Sequence, residues 1–218
     1  MLARVLVVSS LLVQGLVPQM PAGITRVQLL DNASVMSARL TYAGGAAEAK
    51  HTHPFAAVVI QLTPGEADMT IGDDHTRAHR DPGFVWYIPR GTPHALVNAG
   101  TEAFDQITLA IKPDRPPAEP GAATTAPPGI TRTPVIDNGD VRVVRVEFTP
   151  GGREPLHEHP YDLVTVQLTP GQVEIVQGNE RDAHEYAAGD VKFLPRAVRH
   201  SYASVDKRPF TLISVAIK

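Results

Sequence analysis

The chain has 218 residues, 43% apolar and 20% charged, with a formal net charge of −3. A near-neutral chain without a polybasic segment excludes the electrostatic footprint of a nucleic-acid binder or a membrane-surface protein. No cysteine is present, which excludes disulfides, thiolate metal sites and cysteine nucleophiles.

At the N-terminus, Arg4 precedes an apolar stretch over residues 5–17. That stretch has the length of a signal segment and is too short for a membrane span. Residues 1–20 are therefore expected to be a leader that exports the protein to the periplasm or outside the cell. The alternative is an N-terminal strand, or an over-extended start site, in a cytoplasmic protein. From residue 21 onward the apolar runs are short and β-branched, at 35–42, 57–62, 84–88 and 107–111, with turn residues between them. This pattern predicts strands rather than helices, as do 20 prolines and 17 glycines over the chain. Residues 113–127 are rich in proline and alanine without apolar periodicity and form an expected linker. Beyond them, apolar runs return at 141–148, 163–168, 191–194 and 211–217.

The second set of runs repeats the first. His51-Thr52-His53-Pro54 returns as His157-Glu158-His159-Pro160, and the segment QLTPG at 61–65 returns unchanged at 167–171. Pro89-Arg90 returns as Pro195-Arg196, His94 as His200, and Ala110-Ile111-Lys112 as Ala216-Ile217-Lys218. One shift of 106 residues (157 minus 51) relates all these pairs. The period exceeds a solenoid unit and matches a small self-contained domain. Two domains are expected, at 21–112 and 128–218, each an all-β sandwich or barrel.

Six of the nine histidines fall on repeat-related positions. His51 and His53 lie two apart, so on a strand they share a face. His94 arrives from another strand, after the turn Pro89-Arg90-Gly91-Thr92-Pro93. His157, His159 and His200 repeat the plan. Neutral imidazole suits Zn, Cu, Fe and Ni, so each triplet is a candidate metal site. His75, His79 and His184 are expected as solvated loop residues. A secondary cluster of Asp73, Asp74, His75 and His79 is a minor alternative.

The chain resembles the cupin superfamily, specifically the two-domain bicupins. The first cupin motif, G-x5-H-x-H-x(3,4)-E-x6-G, is met by Gly45, His51, His53 and Gly65, and again by Gly151, His157, His159 and Gly171. The glutamate position holds Val58 and Val164. The second motif, G-x5-P-x-G-x2-H-x3-N, is complete in the first copy as Gly83, Pro89, Gly91, His94 and Asn98. The second copy keeps Gly189, Pro195 and His200 but has Ala197 for the glycine and Ser204 for the asparagine.

The resemblance implies two tandem cupin-type double-stranded β-helix (jelly-roll) barrels. It also implies a divalent transition metal (Fe, Mn, Ni, Cu or Zn) on three histidines with no motif carboxylate. Asp162, two residues before Val164, is a candidate replacement for the lost glutamate or else a solvent-facing residue. Gln61 and Gln167 are candidate amide ligands, with a turn-anchoring role favoured. Arg90 and Arg196 are candidate anion contacts or solvated turn residues, and Trp86 and Tyr87 candidate cavity or core residues. The implied function is a dioxygenase-like oxidoreductase acting in barrel 1 on a small chelating substrate of diketone, flavonol or phenolic type. The alternative is a non-catalytic cupin binding a small ligand or a structural metal. No single side chain is assigned to catalysis. The expected partner is a small molecule, with no nucleic acid and no membrane span. The expected assembly is a monomer with its two barrels paired internally, or a homodimer.

Overall fold

The computed structural model describes residues 20–113 and 127–218. The expected leader at 1–20 and linker at 113–127 lie, but for their edge residues, outside the described residues. Eighteen strands and no helix make up the described chain. The first nine are β1 (Ile24–Asp31), β2 (Val35–Tyr42), β3 (Ala47–His51), β4 (Ala56–Gln61), β5 (Gly65–Ile71), β6 (Asp74–Arg80), β7 (Val85–Ile88), β8 (His94–Asn98) and β9 (Phe104–Ile111). The second nine repeat them as β10 (Ile130–Asp137), β11 (Val141–Phe148), β12 (Arg153–His157), β13 (Asp162–Gln167), β14 (Gly171–Gln177), β15 (Glu180–Tyr186), β16 (Val191–Leu194), β17 (His200–Ser204) and β18 (Phe210–Ile217).

Each half is a sandwich of two antiparallel sheets. A five-stranded sheet runs β1-β2-β9-β4-β7 and a four-stranded one β3-β8-β5-β6; the second half repeats both as β10-β11-β18-β13-β16 and β12-β17-β14-β15. From β3 to β9 the chain crosses between the sheets at every step but the β5-β6 hairpin, the jelly-roll solution to covering two apolar faces. The two halves are tandem barrels of one design.

Strand parity distributes the apolar residues among three cores. On β4, Ala57 and Val59 face the interior of their own barrel, with Leu40, Trp86 and Leu96. Their neighbours Ala56, Val58 and Ile60 face the other way. There they meet Val141, Val164, Val166 and Val215 from the second half, so the two five-stranded sheets pack back to back. This explains why the β4 run is apolar on both faces. The third core, inside the second barrel, is built on Val146, Phe148, Ile175 and Leu212.

The inter-barrel contact keeps an internal two-fold relation. A Cβ at Gly83 would stand 2.7 Å from Arg145 and Leu168 of the other barrel, and one at Gly189 would stand 3.2 Å from Leu62 and 3.4 Å from Arg39. The first glycine of the second cupin motif thus serves close approach between barrels. Polar contacts across the seam are not symmetric. Ser34 donates to Asp162 at 2.6 Å, and the Tyr87 hydroxyl donates to Asp140.

Candidate metal centre

In each barrel the His-x-His segment ends the third strand of the repeat, directly across the ladder from the third histidine. His51 pairs in register with His94, and His157 with His200. A register shift just before His51 and His157 re-aims the strand end. The second-motif turn is tied to the same segment: Gly91 N–H donates to the His53 carbonyl at 3.1 Å, and Ala197 N–H to that of His159 at 2.8 Å. One knot therefore delivers all three imidazoles. In both triplets the ligand nitrogens lie within 4.8 Å of one another.

The two triplets differ in how their rings are held. In barrel 1, Nδ1 of His51, His53 and His94 meets the carbonyls of Ala49, Phe55 and Thr92 at 2.9, 2.9 and 3.0 Å. A carbonyl only accepts, so each Nδ1 carries the proton and each Nε2 lone pair is left for the centre. Barrel 2 pins His157 and His200 in the same way, on Pro155 and Val198 at 2.7 and 3.0 Å. There His157 Nε2 and His159 Nε2 stand 3.0 Å apart. That is the separation of two nitrogen ligands on one ion, each about 2.0–2.1 Å from it. Barrel 1 holds all three rings on backbone carbonyls, whereas barrel 2 holds two of its three that way.

The electrostatics differ too. Burial lowers the affinity of His53 and His94 for protons, partly opposed by Glu48. Burial, then His157, His200 and Arg132, push His159 down to about 3. His200 is lowered by burial and also feels Lys192. Glu48, on β3, lies 3.7 Å from His51 Nε2 and accepts from the Tyr42 hydroxyl at 2.9 Å. Its repeat partner Glu154 lies 3.6 Å from His157 Nε2 but is paired with Arg132. Barrel 1 thus keeps an anion beside its histidines with a neutral partner, whereas barrel 2 neutralises its own. These glutamates were not picked out in the sequence, because they precede the histidines inside the motif's unspecified spacer.

Several expectations are corrected. Val58 and Val164 face the inter-barrel core, so neither occupies a ligand position. The residues on that strand facing the histidines are Ala57 and Leu163, at a spacing of three from the second histidine. Asp162 neither approaches the histidines nor faces solvent. It is 5% exposed and accepts from Ser34 and from Arg196 N–H and Nε at 2.6, 2.9 and 3.2 Å. Burial raises its pKa, but the bonds from Arg196 and Ser34 outweigh that and leave it below the usual carboxylate range. Arg196 is thus the cap of a seam carboxylate, while Arg90 is exposed. Gln61 and Gln167 anchor their turns, donating to the Thr63 and Thr169 carbonyls at 2.8 and 2.7 Å.

Trp86 packs inside barrel 1 and Tyr87 at the seam. His75, His79 and His184 lie on strands β6 and β15 rather than loops, paired with Asp68, Glu66 and Asp182 at 2.6, 2.9 and 2.7 Å. The cluster of Asp73, Asp74, His75 and His79 does not converge on a common point, since His75 and His79 each turn to a carboxylate of β5.

Each triplet opens on the cavity of its barrel, about 570 Å³ in barrel 1 and about 520 Å³ in barrel 2. Such volumes suit a small organic molecule. A paired-barrel molecule with an all-histidine triplet in each cavity defines the class as a bicupin whose sites fit a divalent metal. The cupin domain family profile matches residues 38–109 and 144–216, and the chain belongs to that family. It is similar in fold to AerE from Microcystis aeruginosa, with 18% identity, a TM-score of 0.74 and coverage of 92% of this chain and 95% of that one. It is also similar to a salicylate 1,2-dioxygenase from Pseudaminobacter salicylatoxidans, with 12% identity, a TM-score of 0.70 and coverage of 88% and 75%. A germin-like protein of Arabidopsis thaliana is 27% identical over 97 residues, 43% of this chain and 44% of that protein. The chain therefore matches less than half the length of that relative. Among the described residues, no helix is long and apolar enough to cross a membrane.

Proposed function

We propose that barrel 1 binds a divalent transition metal on His51, His53 and His94 and acts as a dioxygenase-like oxidoreductase on a small chelating substrate. The observation that carries this reading is the tautomer set: three Nδ1–H groups held by backbone carbonyls, with three Nε2 lone pairs directed to one centre. Neutral imidazoles leave the ion its full charge, and the ion supplies a Lewis-acidic centre with positions open to substrate. Glu48 adds a negative charge at the edge of the site, steadied by the Tyr42 hydroxyl.

The remaining cavity wall in barrel 1 is mostly apolar, with Met36, Leu40, Val59 and Ile88. It excludes water from a flat substrate and presents its oxygens to the histidine end. A phenolic acid is the favoured member of the diketone, flavonol and phenolic set, because a fold neighbour is by name a salicylate dioxygenase. We also propose that His157, His159 and His200 form the second, less ready metal site.

The test is dioxygen uptake at an electrode, with protein reconstituted in turn with iron, copper and nickel and offered diketones, flavonols and phenolic acids. Uptake with one of these classes, lost in His94→Ala, is the expected result. No uptake with any metal and class pairing would overturn the reading.

A further inference from the structure

The five-stranded sheets of the two barrels present different rows of side chains to their cavities. In barrel 1 one row across adjacent strands reads Ala38, Thr108, Val59, Trp86. The same row in barrel 2 reads Val144, Ser214, Thr165, Lys192. The hydroxyl of Thr108 is kept as that of Ser214, and Val59 and Trp86 give way to Thr165 and Lys192, leaving a ladder of hydroxyl, hydroxyl and ammonium. Directly opposed residues on neighbouring strands stand about 5 Å apart, so these three groups can act on one ligand. All three line the cavity.

Lys192 stands where Trp86 fills the interior of barrel 1. Among the described residues no carboxylate forms an ion pair with it. Its Nζ lies 5.9 Å from the Tyr186 ring centroid, and the acid whose field it feels is Asp182. Burial holds its ammonium below the usual lysine range. A half-buried ammonium carries three donors and no acceptor, and calls for an anion. The Ser214 and Thr165 hydroxyls beside it can donate to the same anion. Arg142 adds a second cation to the cavity wall, with Asp137 4.0 Å away. The wall also carries Glu158 and the Arg132–Glu154 ion pair, and its apolar part includes Val146, Ile175 and Leu194.

We infer that the barrel 2 cavity is a binding site for a small organic carboxylate, with its carboxylate on Lys192, Thr165 and Ser214 and its apolar body along Val146, Ile175 and Leu194. The charge of Lys192 is felt at His200, so a ligand held there lies beside the histidine triplet. The two barrels are then differentiated: both carry a histidine triplet, and the second adds an ammonium that takes an anion. This assignment needs no metal, so it stands or falls apart from the oxidoreductase reading.

The test is calorimetric titration of the full chain, stripped of metal with a chelator, using benzoate, neutral benzamide and inorganic phosphate. Benzoate is expected to bind, and benzamide to bind about tenfold more weakly or worse, since a charge-assisted contact is lost. Lys192→Met is expected to weaken benzoate by about tenfold or more, and Lys192→Arg to retain most of the affinity. Thr165→Val, which keeps the side-chain shape, is expected to weaken it about threefold and serves if Lys192→Met does not fold. His51→Ala, in the other barrel, is expected to leave benzoate binding unchanged. Equal affinity for benzoate and benzamide, no benzoate binding, or loss on His51→Ala instead would overturn the assignment. Phosphate binding as tightly as benzoate would overturn its organic-carboxylate part.

Discussion

Ala197 sits at φ 57°, in the left-handed region, where its repeat partner Gly91 sits at φ 69°. The turn delivers His200, so the second barrel tolerates strain at the position that the cupin motif gives to glycine. A Cβ in this region costs about 1–2 kcal/mol. Ala197→Gly is expected to raise stability by about 1 kcal/mol, read as a higher unfolding midpoint in denaturant. A second residue-scale effect concerns His159. An unfolded chain protonates it near 6.5, whereas the folded barrel holds it down to about 3. Between these values the unfolded state binds the extra proton, so stability falls as pH drops from 6.5 towards 3, and above 6.5 this contribution is constant. His159→Gln is expected to flatten the stability profile of the metal-free chain in that window, as measured by denaturant unfolding at a series of pH values.

At the scale of the strand, parity decides what each motif position can do. On β4, Ala57 faces the histidines and Val58 the other barrel. Restoring a glutamate therefore has opposite outcomes one residue apart. Val58→Glu buries an unpaired charge at the seam and is expected to destabilise the protein by about 3–5 kcal/mol. Ala57→Glu places a carboxylate in the barrel 1 cavity and is expected to tighten divalent-metal binding, read by metal titration of the folded variant. Unchanged stability in Val58→Glu would contradict the seam.

Much of this architecture was legible from the repeat: the strands 35–42, 141–148 and their partners, and both histidine triplets. What escaped has a physical reason. The β4 run is apolar on both faces, so no alternation marked which valine looks inward. β1 and β10 are mostly exposed edge strands, and β6 and β15 are polar hairpin strands with few apolar residues. Periodicity is silent there. Lys192 and Trp86 occupy one repeat position, and only the register shows that both point into a barrel.

At the scale of the molecule, two barrels of one design share a seam and diverge inside. The seam fuses what would otherwise be the isologous contact of a dimer into one chain. Once the halves are joined, each cavity is free to change separately. Barrel 1 kept Asn98, which donates to the Tyr42 and Glu102 carbonyls at 2.9 and 2.8 Å, and a fully oriented histidine triplet. Barrel 2 has Ser204 at that position, its hydroxyl buried without a protein hydrogen-bond partner, and a lysine in its cavity. The central claim is that barrel 1 is the primary metal centre. Its most direct test is elemental analysis by plasma mass spectrometry of the purified chain beside His94→Ala and His200→Ala. The expected result is a stoichiometric transition metal in the parent chain, lost in His94→Ala and largely kept in His200→Ala. Metal absent from the parent chain, or retained in His94→Ala and lost in His200→Ala, would contradict the account.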